Sequence, residues 1–409
     1  MANVSVLDVK LHGQTIGTIT NIGHDRSLFA FTDDYIANER RPVLSLSFKD
    51  SLGQLITDLP PTQTALPPFF SNLLPEGNLR RYLAERAGVK SAREFYLIWM
   101  LGKDLPGAIT VEPAEGEALP PGTSDNDETE DERRNALRFS LAGVQLKFSA
   151  LKNTGKHGGL TIPARGVGGS WIVKLPSMQF EGVPENEFSM MTIAAKMGMD
   201  VPEVQLMELD AVAGLPENLG EMHGQAMAVK RFDRGEDGPV HIEDFAQVFG
   251  AYPDEKYDKG NYRMIGRVLG IETGAAGVTE FVRRLIFSTL IGNGDMHLKN
   301  WSLIYPDRIN AALSPAYDLV STIPYIPNDP AALNYSRTKR MEQLDEDELA
   351  HFAAKAELNI KLVMDVTRDT VDRFTQVWQA EKANLPMAKK VVDAIDEHVT
   401  RLPIAKLKA

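Results

Sequence analysis

The stretch that decides the fold is LIGNGDMHLKNWSLIY, residues 290–305. It follows the apolar run FVRRLIFSTLIG, whose spacing predicts a buried helix, and it runs into WSLIY, which predicts a strand. Between the two runs stand Asp295 and Asn300, close to two glycines. The sequence therefore predicts a polar loop that is held between a buried helix and a strand.

The polar residues of this loop have a spacing with a chemical meaning. Asp295 and Asn300 form D-x-x-x-x-N, the spacing of protein-kinase catalytic loops, where the Asp orients the substrate hydroxyl and the Asn holds a metal ion. Asp318 follows in LSPAYDLVS, and the segment before it could form a hairpin that returns the chain to the loop. Mg²⁺ prefers carboxylate and amide oxygens, so Asn300 and Asp318 are candidate ligands. The alternative is a helix-capping Asp and a turn Asn.

A kinase also needs a cation on the phosphates, and Lys174 in SWIVKLP is the candidate. It ends a short strand-like run in an apolar stretch, where an unpaired lysine would be costly to bury. Glu187, in the next predicted helix, is a candidate partner in a Lys–Glu clamp, although Glu185 is also nearby and could simply belong to the first turn of that helix. The alternative for Lys174 is an edge-strand lysine that points to solvent.

Several other chemistries find no support. The chain has no cysteine, which excludes disulfides, thiolate zinc sites and cysteine nucleophiles. It contains no Walker A motif, no H-E-x-x-H zinc motif and no G-x-S-x-G motif. The net charge of −12 argues against broad binding to DNA or an anionic membrane, and suits a basic partner. No apolar run approaches the ~20 residues of a membrane span, and we expect a cytoplasmic protein with no membrane partner.

The segments before and after this loop predict a chain with several units. Residues 1–113 predict a small β-rich unit, with strand-like runs that include VLSLSF and helices near 78–88 and 92–101. Residues 114–135 hold Pro, Gly and Ser and then an acidic run, which predicts a linker or loop. Residues 136–240 predict a β-rich lobe with one helix, and residues 241–409 a helical lobe, with helices at 242–249, 261–269, 277–291, 344–357, 360–383 and 387–400.

Taken in order along the chain, these motifs resemble one bacterial family. They are SLAGVQLKFSAL, WIVKLPS, ENEFSMMTIAAKMGMDVPEVQL, AVKRFDR, HIEDFAQVFG, GNGDMHLKN and SPAYDLVS. Together with LSLSF, FFSNLLPEG and GKDLPGAITVEP before them, they resemble the HipA family of serine/threonine kinase toxins. The resemblance runs from near the N-terminus to about residue 325. It implies an α+β, protein-kinase-like, two-lobed fold with an extra N-terminal β-rich subdomain and a mostly helical C-terminal lobe.

The resemblance also assigns roles to individual residues. Asp295 would be the catalytic aspartate, Asn300 and Asp318 would hold Mg²⁺, and Ser140 would be an autophosphorylation site that switches the kinase off. Residues implied to bind ATP are Ala142, Gly143, Val144, Gln145, Leu146, Lys147, Lys174, Lys230, Arg231, Phe232, His297, Lys299, Asn300, Tyr317 and Asp318. Lys230 to Phe232 would act mainly through their backbone, as the hinge at the adenine. For His297 taken alone, a histidine that shapes the loop is the preferred interpretation.

The family typically phosphorylates an aminoacyl-tRNA synthetase, which inhibits translation and induces dormancy. It typically pairs with a helix-turn-helix antitoxin of the HipB type, through which it meets operator DNA indirectly. ATP and Mg²⁺ are the implied cofactors. Two alternatives stay open: a small-molecule or lipid kinase with the same Asp, Asn and Asp, and a non-catalytic protein that holds an antitoxin on DNA.

Overall fold

The structure is a computed structural model, and it describes residues 5–86, 90–114, 147–152, 160–161, 169–177, 179–215 and 222–407. The predicted linker from 115 onward, Ser140 and the loop from Ala142 to Leu146 lie outside these residues. Within the described ranges, none of the helices is both long and apolar enough to cross a membrane.

The first unit is built on an antiparallel sheet. Its strands are β1 (Val6–Leu11), β2 (Gln14–Gly23), β3 (Arg26–Phe31), β4 (Thr62–Gln63) and β5 (Ile109–Pro113), in the order β4-β3-β2-β1-β5. Its helices are α1 (Asp33–Ala37), α2 (Pro68–Ser71), α3 (Gly77–Arg86) and α4 (Glu94–Leu101). Side chains on β1 alternate in burial, so Leu7, Val9 and Leu11 face a core that the apolar helix α4 covers. The prediction of a strand at VLSLSF is wrong, because Leu46–Phe48 forms a 3₁₀ turn capped by the Ser45 hydroxyl.

The second unit is a mixed sheet with one helix packed on it. Its strands are β6 (Lys147–Lys152), β7 (Leu160–Thr161), β8 (Trp171–Lys174), β9 (Val204–Met207), β10 (Val212–Ala213) and β11 (Ala226–Lys230), in the order β10-β7-β6-β8-β11-β9. The helix α5 (Val183–Lys196) buries Met190, Ile193 and Ala194. Because β8 lies between β6 and β11, its last residue, Lys174, is buried inside the unit.

A small sheet begins the third unit. A hairpin of β12 (Arg234–Gly235) and β13 (Gly238–Pro239) leads into β14 (His241–Asp244), which pairs with β15 (Ser302–Tyr305) and, through it, β16 (Ala312–Leu313). The prediction of one helix over 242–249 is therefore wrong in its first half. Residues 241–244 are a strand whose partner, Ser302–Tyr305, lies about sixty residues further along the chain. The predicted hairpin between Asn300 and Asp318 is confirmed by the pairing of β15 with β16.

Helices complete the third unit. They are α6 (Phe245–Val248), α7 (Tyr262–Glu272), α8 (Gly274–Leu290), α9 (Glu346–Lys355), α10 (Ile360–Glu381) and α11 (Lys389–Arg401). Asn261, Asp345 and Asn359 cap α7, α9 and α10 by accepting from backbone amides of the first turn. α8 is buried along most of its length, and Phe281, Leu285 and Phe287 on it pack into the largest core. α8 thus provides a rigid base for the loop that follows it.

Candidate active site

The predicted catalytic loop leaves α8 through a turn that requires glycine. Gly292 has φ +66, and a Cβ at this position would lie 2.5 Å from the Ile323 side chain, so an L side chain would be both strained and crowded. The Asn293 side chain then accepts from the Asp295 amide at 3.0 Å, and the Asp295 carbonyl accepts from the His297 amide at 2.8 Å. These local bonds hold the backbone of Asp295 while its side chain stays exposed.

The loop is also fixed to the core behind it. Met296 and Leu298 are buried, and the Met296 carbonyl accepts from the Tyr262 hydroxyl at 2.9 Å and from the Trp301 indole at 3.4 Å. Met296 and Leu298 therefore point inward, while Asp295 is exposed. A rigid backbone under an exposed carboxylate is suited to orienting a substrate hydroxyl.

The Asp295 carboxylate has a partner that the sequence did not indicate. The Tyr257 hydroxyl donates to Asp295 Oδ1 at 2.7 Å. Burial and the nearby Asp295 charge raise the pKa of Tyr257 above its ordinary value, so the phenol keeps its proton and donates it. Tyr257 lies in AYPDEKYDKG, a polar stretch without a recognisable motif, so no sequence signal pointed to it.

A charge cluster surrounds the buried Lys174 at the end of β8. The Lys174 ammonium contacts both Glu187 on α5 and Asp318, and Lys147 Nζ lies 3.2 Å from Asp318 Oδ2. The structure thus selects Glu187 rather than Glu185 as the partner of Lys174. The Glu185 side chain instead accepts from the Gln225 amide at 3.2 Å.

The charges of this cluster stabilise one another. Burial alone would raise the pKa of Asp318, but Lys147 and Lys174 outweigh it and hold that pKa well below its ordinary value. Burial alone would lower the pKa of Lys174, yet Asp318 and Glu187 raise it. Burial also raises the pKa of Glu187, against the opposing effect of Lys174. Asp318 is therefore an anion, and Lys174 a cation, throughout the physiological range.

Asp318 stands in an unusual backbone conformation. Its φ is +55, the left-handed region that few residues other than glycine adopt, and such geometry is often kept at functional sites. The residue before it is anchored, because the Tyr317 hydroxyl donates to the Lys299 carbonyl at 2.8 Å and lies 2.5 Å from Ser302 Oγ. The Phe232 ring packs against Tyr317 with centroids 5.6 Å apart. These contacts tie Asp318 to the catalytic loop.

Asn300 and Asp318 line one pocket, together with Tyr317 and Asn293. The Asn300 side-chain oxygen is buried and has no hydrogen-bond partner among the described residues, and such an oxygen is costly unless it binds something. An unsatisfied amide oxygen beside a carboxylate fits a Mg²⁺ ion that also binds phosphate. Within the described ranges, no group of three or more His, Asp or Glu side chains forms a metal cluster. A metal here would depend on the Asn300 amide, the Asp318 carboxylate and phosphate oxygens.

Other predicted ATP-site residues are placed in different ways. His297 is buried, its ring meets that of Tyr257 edge-on at 5.0 Å, and burial lowers its pKa to about 4, so it is neutral. The ammonium of Lys299 lies 3.1 Å from Glu76 of the first unit. Lys230 is exposed at the end of β11, and its amide donates to the Glu203 carbonyl at 2.8 Å. Their contact with ATP stays a prediction.

The predicted hinge is joined to the first unit through a buried ionic network. The Arg231 guanidinium lies 2.9 Å from both Asp104 and Asp233, and Arg234 lies 3.0 Å from Asp104 and 2.8 Å from Asp233. The Gly107 amide also donates to Asp233 at 2.8 Å. The Arg231 side chain is therefore a structural connection here. Asp104 and Asp233 lie in the quoted motifs GKDLPG and AVKRFDR, but their pairing could not be read from those motifs.

Comparison with known proteins identifies the class and then the family. The structure superposes on HipA from Shewanella oneidensis MR-1, solved with HipB and operator DNA. The match covers 98% of this chain and 96% of that HipA chain, with a TM-score of 0.72 and 23% sequence identity. This shows a kinase-like fold and confirms the predicted fold class. The HipA-like C-terminal domain matches residues 139–378 and the HipA N-terminal domain matches residues 7–112. The chain belongs to the HipA family.

Similar proteins are known in bacteria. A protein of Sinorhizobium fredii named "Putative kinase Y4dM" is 69% identical over 97% of both chains. The "Serine/threonine-protein kinase toxin HipA" of Shewanella oneidensis is 29% identical over 64% of this chain and 65% of that protein. The family prediction is thus confirmed, and at the level of the family its members are named kinases.

Proposed function

We propose that this chain is a serine/threonine protein kinase that transfers the γ-phosphate of ATP to a protein hydroxyl with the help of Mg²⁺. One observation carries the proposal. The buried cation Lys174 is fixed between Glu187 and Asp318, and Asp318 lines the same pocket as the unsatisfied oxygen of Asn300. A purely structural ion pair would not require such an oxygen beside it.

The residues divide the reaction between them. Lys174 and Lys147 neutralise and orient the phosphates, and Asn300 and Asp318 would hold Mg²⁺, which when bound neutralises charge on the phosphate oxygens. Asp295 accepts the proton of the attacking hydroxyl while the oxygen of that hydroxyl bonds to the γ-phosphorus. The bond between the γ-phosphorus and the bridging oxygen breaks, and ADP leaves. The Asp295 carboxylate is exposed, as a group that must reach a protein substrate requires.

The biological role is the finer part of the proposal. We infer that the chain is the toxin of a toxin–antitoxin pair that acts in the cytoplasm and causes persistence by inhibiting translation. Its partner would be a HipB-like antitoxin, which brings it to DNA indirectly, and its substrate an aminoacyl-tRNA synthetase. The HipA of Shewanella oneidensis, solved with HipB and operator DNA, supports the partner, and the net charge of −12 suits a basic one. Ser140 would be the autophosphorylation site.

Labelled ATP tests the proposal directly. The purified chain is incubated with γ-labelled ATP, Mg²⁺ and a bacterial lysate, beside Asp295→Asn, and phosphopeptides are then mapped. A discrete labelled protein band and a phosphate on Ser140, both absent with Asp295→Asn, are expected. Label only in small molecules or lipid would favour a kinase for those substrates. Absence of label together with antitoxin binding would favour a non-catalytic co-repressor.

A further inference from the structure

Tyr257 contacts the reacting carboxylate more directly than any other side chain in the described part of the chain. Its hydroxyl donates to Asp295 Oδ1 at 2.7 Å, which is the one side-chain hydrogen bond that this carboxylate makes among the described residues. Asp295 is itself exposed, and without this contact its carboxylate would rotate freely about its side-chain bonds. The hydroxyl therefore holds one oxygen and leaves the second available to a substrate.

The segment that carries Tyr257 is attached to the catalytic loop. The Lys256 carbonyl accepts from the Leu298 amide at 3.3 Å, and the Tyr257 ring packs edge-on against His297 at 5.0 Å. Tyr257 is 38% exposed as a residue, so part of it remains at the surface near Asp295. Because the tyrosine is attached to the loop at two places, it acts as a fixed support rather than as a mobile plug of the substrate site.

The first unit contributes a further support from outside the two kinase lobes. The Glu76 carboxylate lies 2.7 Å from Lys256 and 3.1 Å from Lys299, so it bridges the Tyr257 segment and the catalytic loop. Burial alone would raise the pKa of Glu76, but Lys299 and Lys256 lower it, and the bridge stays ionised. Lys299 also donates to the Asn72 carbonyl at 3.0 Å. The loop and the Tyr257 segment are thus held on the same anchor.

From this geometry we propose that Tyr257 is a positioning residue, which fixes the rotamer of Asp295 so that its free oxygen meets the incoming hydroxyl. The inference rests on the proposed kinase function. It predicts an effect on the chemical step and none on the binding of ATP or protein, because the side-chain partner of the hydroxyl among the described residues is Asp295. A hydrogen bond to a charged group is typically worth a roughly tenfold change in rate.

The test compares kcat and KM of the natural chain, Tyr257→Phe, Asp295→Asn and the double variant, with Tyr96→Phe as a control. This control removes a phenol hydroxyl whose hydrogen-bond partner among the described residues is Asn21 of the first unit, at 3.4 Å. Tyr257→Phe keeps the ring on His297, and unchanged nucleotide affinity verifies that it folds. We expect kcat to fall about tenfold with both KM values within about twofold. Added to Asp295→Asn, the same change should have no further effect.

Each other outcome overturns the proposal in a distinguishable way. An unchanged kcat in Tyr257→Phe, with the natural chain active, overturns the positioning role alone. Equal losses in the natural and Asp295→Asn backgrounds do the same, because they show that the hydroxyl acts elsewhere. A loss confined to KM would make Tyr257 a binding residue instead. A natural chain that transfers no phosphate overturns the kinase function and this inference with it.

Discussion

Glu243 offers a prediction whose magnitude can be worked out from its surroundings. Its carboxylate is buried where the first unit meets β14, and it accepts from Ser45 Oγ at 2.5 Å, from the Leu46 amide at 3.0 Å and from the Tyr305 hydroxyl. Burial raises its pKa to about 7 despite these hydrogen bonds. Glu243→Gln keeps the shape, since the amide oxygen can accept from Leu46 and the amide nitrogen can donate to either hydroxyl.

The direction in which pH changes stability through Glu243 follows from proton binding. The pKa is about 7 in the folded chain and 4.5 in the unfolded chain, so between these values the folded state binds more protons at Glu243. The contribution of Glu243 to stability is therefore largest below pH 4.5 and falls as the pH rises, until this loss is complete above pH 7. At about 1.4 kcal/mol per pKa unit the whole loss is about 3 kcal/mol. Glu243→Gln has no such loss and should gain about 2–3 kcal/mol over the natural chain between pH 5 and pH 8.

Urea unfolding at pH 5, 6, 7 and 8 measures this difference, with Glu397→Gln, an exposed glutamate on α11, as the matched control. Because all other titrations are common to both chains, only the change at Glu243 remains in the difference. A difference that is flat with pH, or a variant that is less stable than the natural chain at pH 8, would refute the reasoning.

Two further changes probe the charges around the site. Lys174→Met leaves the buried Glu187 without its cation and should cost about 3–5 kcal/mol in urea unfolding. Adding Glu187→Gln should recover part of that loss. A cost below about 1 kcal/mol for Lys174→Met alone would contradict the buried pair. Asp104→Asn weakens two ion pairs, to Arg231 and Arg234, and should cost about 1–3 kcal/mol. It should also lower the affinity for ATP, measured by calorimetry, because the predicted hinge loses a support. An unchanged affinity would show that the ionic network does not support ATP binding at the hinge.

Sequence reasoning succeeded where a short local pattern determined the geometry. The apolar helix before Asp295 and the hairpin before Asp318 could be predicted because periodicity and turn residues specify both. The pairing of Lys174 with a carboxylate was also predictable, since a lysine in an apolar stretch requires a partner. The choice of Glu187 over Glu185 was not, because it depends on how α5 is rotated against the sheet.

The remaining features depend on residues that are distant in sequence. The strand His241–Asp244 was mistaken for the start of a helix because its partner strand lies far along the chain. The hydrogen bond from Tyr257 to Asp295 joins residues 38 positions apart, and the bridge from Asp104 to Arg231 joins residues 127 apart. Neither contact has a spacing rule. Patterns in the single sequence therefore located the catalytic loop, whereas the contacts that support the site could be found only in the folded structure.

The central claim is that Asp295 carries out phosphoryl transfer, and single-turnover kinetics test it most directly. Enzyme and γ-labelled ATP are mixed with and without Mg²⁺, and the phosphoprotein formed in one turnover is measured. The natural chain is compared with Asp295→Asn and with the control Asp365→Asn, which changes an exposed aspartate on α10. We predict Mg²⁺-dependent transfer in the natural chain and Asp365→Asn, and a rate at least about a hundredfold lower in Asp295→Asn. Transfer at the natural rate by Asp295→Asn would contradict the account.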